Sequence, residues 1–344
     1  MAQLSVLVRS AVVLVVVLLA LPVVGFVGFG LIKGYDVPRG LVNVMWDSSV
    51  DTVEVPPFSR MAAQVTWLSD IQDYEIAESS GLAASLLHDD ILWTINDSGS
   101  EPYLYAVDLA GHTQAKVLVD TSYNVDWESL SSFSLDGKSF LAIGDTGDNF
   151  RWHANARILI VPEPLDLTAQ QAAVAWSVAF TYPDTPRDSE AMAVAPQQGK
   201  ILVLSKREYP VRLFELPLQP ATQEIQIARE VGQLFLPQPT PLDLERDADA
   251  KYRHMPSGMD IRESQRGGCC ELFITTYQHA YLLPLQIDQD SAISGAARQV
   301  LLPSLGQREA LAFSRDDKNL AYISKERYQL KGFADLFAIQ LAND

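Results

Sequence analysis

The residues with the types and spacing to do chemistry are charged, and they recur at corresponding points of a repeated pattern. Five apolar runs, LWTIND, FLAIGD, ILVLSK, LFITTY and LAYISK, end on Asp97, Asp145, Lys206, Tyr277 and Lys325. The run before each opens on Glu78, Glu128, Glu190, Ser257 and Glu309. If the repeats close into a ring, these positions meet near one mouth of a central channel. One half is acidic, with Glu78, Asp97, Asp126, Glu128, Asp145 and Asp148. The other is mixed, with Arg187, Glu190, Lys206, Arg308, Glu309 and Lys325. Clustered carboxylates suit a hard cation such as Ca²⁺, which takes six to eight oxygen ligands. Glu78, Asp97, Glu128, Asp145 and Asp148 are therefore the candidate metal ligands. The loop from Asp145 to Asn149 has the composition of a calcium loop but lacks the twelve-residue EF-hand pattern. Across the ring, Glu190 or Glu309 is a candidate general base, and Lys206 or Lys325 a candidate holder of an anionic group. The competing reading is architectural. A Glu at each repeat corner can accept neighbouring backbone N–H groups, and Glu190–Lys206 and Glu309–Lys325 can neutralise one another.

The elements that position these residues are short β runs. Each first strand and each second strand is followed by a third, as in LYAVDL (104–109), ARILIVPEP (156–164), VRLFELPL (211–218), AYLLPLQI (280–287) and DLFAIQL (335–341). A fourth follows in all but the last unit: AKVLVD (115–120), AVAWSVAF (173–180), GQLFLP (232–237) and RQVLLP (298–303). Four strands per repeat make a β-propeller blade. The last unit stops after its third strand, so AAQVTWLSD (62–70) supplies the missing one and closes the ring. Starts at 78, 128, 190, 257 and 309 leave no room for another unit between them, which predicts five blades. A sixth would have to lie in 36–75, which is polar and Pro-rich. Residues 164–175 read as an insertion, and 238–256 as a polar inter-blade loop and candidate lid. No long amphipathic helix is predicted within the repeats.

Residues 11–32 carry no charge, and as a helix they would span roughly 33 Å, enough for a bilayer core. The run is long for a cleavable signal, so it predicts a single-pass signal anchor after a short tail (1–10). A stalk follows (33–61), then the propeller domain (62–344), on the periplasmic side of a bacterial inner membrane. A net charge of -17 argues against nucleic acid as a partner. The cysteines are adjacent, Cys269 and Cys270, and begin a strand run, so they read as small buried apolar residues rather than half of a zinc site. The histidines His88, His112, His153, His254 and His279 have no zinc-ligand spacing. A nucleophile elbow and a Gly-rich phosphate loop are both missing. Trp127 is expected between blades.

The motifs ESSGL (78–82), NDSG (96–99), DWE (126–128), GDTGDN (144–149), DSEA (188–191) and SKRE (205–208) resemble a bacterial family of secreted or anchored propellers. That family is related to the phytase-like esterase propellers and, more remotely, similar to the gluconolactonase/regucalcin group and the SdiA-regulated periplasmic propellers. The resemblance spans roughly residues 75–330. In the gluconolactonase group a Glu opening the first blade binds the catalytic metal, and this implies Glu78 as the matching ligand here.

Two functions follow as expectations. One is a propeller that binds Ca²⁺ and a small anionic ligand at its mouth and acts as a metal-dependent hydrolase of an ester, phosphoester or lactone. The other is a non-catalytic envelope scaffold that meets a protein partner.

Overall fold

The computed structural model describes residues 58–121, 123–246, 250, 254–263, 270–287, 292–303, 307–325 and 333–342. A long strand, β1 (Ser59–Ile71), comes first. The next quartet is an antiparallel meander, β2 (Ser79–Ala84), β3 (Ile91–Asn96), β4 (Tyr103–Asp108) and β5 (Thr113–Asp120). A second comprises β6 (Trp127–Leu135), β7 (Lys138–Asp145), β8 (Ala156–Pro162) and, after the short β9 (Gln171–Ala173), β10 (Trp176–Thr181). Next come β11 (Ala191–Ala195), β12 (Lys200–Leu204), β13 (Val211–Pro217) and, after β14 (Gln226–Ile227), β15 (Arg229–Leu234). Then follow β16 (Pro256–Glu263), β17 (Cys270–Thr276), β18 (Ala280–Leu285) and β19 (Arg298–Leu301), and last β20 (Arg308–Phe313), β21 (Leu320–Lys325) and β22 (Ala334–Leu341).

Residues 63–71 of β1 pair antiparallel with β22, while 59–62 pair parallel with β19. The N-terminal strand therefore completes the last quartet and ties it to the one before, making a single eight-stranded sheet. The first strands pack side by side in the order β2, β6, β11, β16, β20 and back to β2. This is an all-β, propeller-like arrangement. It also explains the sequence pattern. The inner strands β2, β3, β11 and β17 are buried along their whole length and read as unbroken apolar runs. The outer strand β5 alternates buried and exposed, and reads as TQAKVLVD. Apolar clusters fill the spaces between neighbouring quartets: Trp93, Trp127 and Leu130 between the first two, and Leu311 and Phe313 against Phe273 and Leu282 between the last two. Trp127 is wholly buried there, as its sequence position suggested.

The insertion 164–175 contributes β9, which adds to β5 in parallel. Within the described residues of the loop 238–256 lies a short helix, α1 (Pro241–Arg246). Cys270 opens β17, is buried and is disulfide-bonded, so it holds no free thiol; Cys269 lies outside the described residues. One expectation is overturned. Among the described residues no helix is long and apolar enough to cross a membrane, and the run 11–32 lies outside the described residues. The single-pass anchor and the inner-membrane, periplasmic placement are therefore not supported.

A buried carboxylate bolts the first two quartets together. Glu163, just past β8, accepts hydrogen bonds from the Leu86 N–H at 3.1 Å, the Trp93 Nε1–H at 3.0 Å and the Ser85 hydroxyl. Removing it leaves those donors buried without an acceptor, a penalty of about 1–3 kcal/mol for each group left bare. Glu163→Ala is expected to lower unfolding stability by about 3 kcal/mol, read from denaturant titration at neutral pH.

Candidate functional site

The site is built at the entry of the first strands, where the β ladders slip. Pairing shifts by one residue between Trp127 and Ser129, between Pro256 and Gly258, and between Arg308 and Ala310. Glu128, Ser257 and Glu309 are thus the unpaired residues of β-bulges, which bend the strand and re-aim a side chain. In β2 the slip falls between Ser79 and Gly81, on Ser80. Glu78 stands two residues earlier, outside the register that Glu128 and Glu309 share. It is partly exposed, its N–H meets the Asn96 Oδ1 at 3.3 Å, and it is not among the carboxylates that converge. Glu78 thus stands apart from the group of carboxylates that the fold brings together.

Asp97, Asp126 and Glu128 do converge. Each offers an oxygen, and these lie within 4.8 Å of one another, with Asp126 and Glu128 buried and Asp97 partly exposed. The loop after β7 forms the wall. The N–H groups of Thr146 and Gly147 both reach the Asp126 carbonyl at 3.2 Å. A Cβ on Gly147 would come within 2.5 Å of the Asp126 carboxyl and 2.8 Å of the Glu128 Cγ, so only glycine lets the backbone pass this close. Asp126 Oδ1 is buried and has no hydrogen-bond partner.

The electrostatics follow from burial and like charge. Burial, then Asp97, Asp188 and Glu190, push Asp126 up to about 9. Burial, then Glu190, Asp97 and Asp126, raise Glu128 well above the carboxylate range, while Lys206 pulls the other way. Beside them Glu190 and Lys206 form a buried ion pair. Burial raises Glu190 to about 7 against the pull of Lys206, and its Oε2 has no partner. Burial lowers Lys206, but Glu190, Asp188, Glu309 and Glu128 outweigh it and keep the ammonium charged. The ammonium lies 5.4 Å from the centre of the Tyr277 ring. Burial, then Glu309 and Glu190, raise the Tyr277 phenol, which hydrogen-bonds Glu309. Five quartets thus contribute to one continuous group: Asp97, Asp126 with Glu128, Glu190 with Lys206, Tyr277, and Glu309.

The remaining candidates have structural employment. Asp145 accepts the Asp126 N–H at 2.8 Å and pairs with Arg157 Nε at 2.7 Å, so it braces the cluster. Asp148 caps a turn by accepting the N–H groups of Trp152 and His153 at 2.9 and 2.8 Å. Burial raises it to about 7 against those bonds. Lys325 Nζ meets Asp335 at 3.2 Å, on the neighbouring strand, so the expected Glu309–Lys325 pair does not form. Asp126 stood in the acidic half but not among the chosen ligands. Its neighbour Gly147 was legible only as part of GDTGDN, and its close approach to two carboxylates is a tertiary fact. Asp188, in DSEA, accepts the Asp148 N–H at 2.9 Å and pairs with Arg207, locking the loop after β7.

A cavity of about 220 Å³ lies at the opposite mouth, lined by Ala84, Ser132, Val194, Asp260 and Phe313 among others. Burial raises Asp260 to about 7, against the N–H groups of Phe313 and Ile261 that it accepts. The carboxylate cluster, with its bare oxygens, is the chemically stronger site.

No protein-family model matches the sequence, and comparison with curated proteins gives no match, so the phytase-like and SdiA-regulated resemblances gain no support. Solved structures with a similar arrangement include a luciferin-regenerating enzyme (10% identity, 82% of this chain and 97% of that one, TM-score 0.40). A gluconolactonase from Xanthomonas campestris aligns at 11% identity over 83% of this chain and 91% of that one, TM-score 0.40. A nidogen/laminin complex aligns at 12% identity over 72% and 73%, TM-score 0.41. At these scores the likenesses bear no functional weight, and the site must be argued from its own residues.

The wall formed by Gly147 is testable. Gly147→Ala drives a methyl group into Asp126 and Glu128, and is expected to abolish any cation-dependent rise in melting temperature while leaving the far-ultraviolet circular dichroism of a β protein in place.

Proposed function

We propose that residues 62–344, with β1 entering from Ser59, form a five-bladed propeller. Its charged mouth binds a divalent cation, Ca²⁺, together with a small anionic ligand, and hydrolyses an ester, phosphoester or lactone. The observation that carries this reading is the convergence of Asp97, Asp126 and Glu128 with the buried Asp126 Oδ1 left without a partner. Three mutually repelling carboxylates, two of them buried, are costly unless protonated or neutralised by a cation. Their hard oxygens suit calcium, and they supply part of the six to eight oxygen ligands it takes.

A cation bound there supplies a Lewis acid that polarises a carbonyl or phosphoryl oxygen. Glu190 has the properties of a general base: an affinity for protons balanced near neutrality, and one oxygen, Oε2, with no partner in the fold. Lys206 holds Glu190 in place and keeps its second oxygen presented. Glu309, tied to the Tyr277 hydroxyl, is the second candidate base.

The test uses the full-length chain purified without chelator. Metal content by plasma mass spectrometry and a panel of aryl esters, phosphomonoesters and lactones are compared with those of Asp126→Asn/Glu128→Gln and Glu190→Gln. Expected are one calcium per chain, its loss in the double variant, and hydrolysis lost in Glu190→Gln with the metal retained. A wild-type protein that takes up no divalent cation would sink this reading in favour of the scaffold.

A further inference from the structure

Arg308 opens β20 and is wholly buried, yet Nε and both terminal nitrogens of its guanidinium have no hydrogen-bond partner. Among the described residues every other buried Lys or Arg is paired: Lys206 with Glu190, Arg187 with Asp184 and Glu208, Arg262 with Glu271. An unpaired guanidinium out of water is costly, and proteins remove that cost by pairing it with an anion. Burial draws Arg308 down to about 10, which still leaves it charged at neutral pH.

The surroundings are polar and aromatic. The guanidinium lies within electrostatic reach of Tyr281 and of His279. The His279 ring stands 5.6 Å from that of His254 and 6.2 Å from that of Tyr281, and its Nδ1 meets Gln299 Nε2 at 3.1 Å. The Arg308 carbonyl is fixed by the Ser257 hydroxyl at 2.6 Å, so the residue is anchored through its backbone while its side chain carries no structural bond. Arg308 also directly precedes the bulge residue Glu309, which belongs to the charged mouth.

We propose that Arg308 is the recognition residue for a carboxylate group on a small ligand. The charge count favours a monoanion. Burial, then His254 and Arg308, hold His279 neutral by lowering it to about 4, so the guanidinium supplies a single positive charge. A guanidinium also offers parallel N–H groups in the geometry that a planar carboxylate accepts two at a time. Lys206 and Lys325, the anion holders suggested by sequence, are both occupied by carboxylates of the fold. The inference rests on the reading above for the ligand's place at this mouth, while the anion site itself stands on Arg308.

The full-length protein is titrated with acetate, with benzoate and, separately, with inorganic phosphate, following melting temperature and calorimetric heat. Wild type should respond to the carboxylates and less to phosphate. In Arg308→Met the dissociation constant should rise by about tenfold or more, the loss expected for one charge-assisted pair. The ligand-free variant should melt no lower than wild type, because an unpaired buried charge has been removed. Three results overturn the proposal: no carboxylate response in wild type, an unchanged response in Arg308→Met, or phosphate binding in preference to carboxylate. The wild-type titration decides even if the variant does not fold. Calcium uptake without any carboxylate response defeats this inference and leaves the cation reading standing; carboxylate binding that needs Arg308 in a protein free of metal does the reverse.

Discussion

Raising the pH of the metal-free protein from about 5 to about 9 is expected to lower its stability steadily, and adding calcium at the upper end to restore it. The cause is the cluster of Asp97, Asp126 and Glu128. In the folded chain Asp126 holds its proton up to about 9, and Glu128 is raised as well, first by burial and then by neighbouring carboxylates. In the unfolded chain both titrate near 4. Between those values the folded state binds more protons than the unfolded state, so stability is greatest below the unfolded value and falls as pH rises toward the folded one. One proton of difference gives a slope of about 1.4 kcal/mol per pH unit, and two groups approach twice that. A cation replaces the protons, so its binding should release them into a weakly buffered solution and tighten as pH rises. The measurement is denaturant unfolding at stepped pH with EDTA or with calcium. A flat profile in EDTA, or one that calcium leaves untouched, removes the cluster as a cation site. Asp126→Asn/Glu128→Gln should flatten the metal-free profile and abolish the calcium response together.

Lys206→Met is expected to cost about 3–5 kcal/mol, because it leaves Glu190 buried without its counter-charge. Lys206 also pulls both Glu128 and Glu190 downward, more strongly on Glu190 than Arg207 does. Without it Glu190 takes up a proton at neutral pH and can no longer act as a base. Any hydrolysis should then recover only at higher pH, shifting the acid limb of the rate profile upward. Glu190→Leu/Lys206→Met should regain much of the lost stability, since an apolar pair replaces an ion pair, while remaining inactive. Unfolding titrations of the two single variants and the double form a cycle that isolates the coupling. If Lys206→Met is as stable as the parent, the pair is not held as described. A double variant that hydrolyses at the parent rate would remove Glu190 from the chemistry.

The repeat itself was legible. The unbroken apolar inner runs, the alternating outer strand β5 and the last unit one strand short all follow from which faces are covered, and β1 pairs with β22 as the pattern required. The ring of corner residues was legible in part. Glu128, Glu190, Lys206 and Glu309 do gather at one mouth: Glu128 and Glu309 from the same bulge near the start of their strands, and Glu190 and Lys206 from the ends of a ladder that has no slip. Glu78 was misplaced by two residues, since the slip in β2 falls on Ser80, and a ladder shift leaves no mark in composition. The expected Lys325 partner was wrong for a related reason. Sequence spacing put it opposite Glu309, while a neighbouring strand brought Asp335 within 3.2 Å.

What the chain determines alone is the order of strands and the residue types at their corners, because burial on both faces demands apolar runs of strand length and turns demand Gly, Asp and Asn. Only the tertiary structure decided which carboxylates meet and which are used up. Asp145 and Asp148 share a loop with Gly147, yet they spend their oxygens on Arg157 and on backbone N–H groups. Asp126 and Arg308 each keep buried polar atoms with no partner. Hydrogen-bond satisfaction is a property of packed neighbours far apart in sequence.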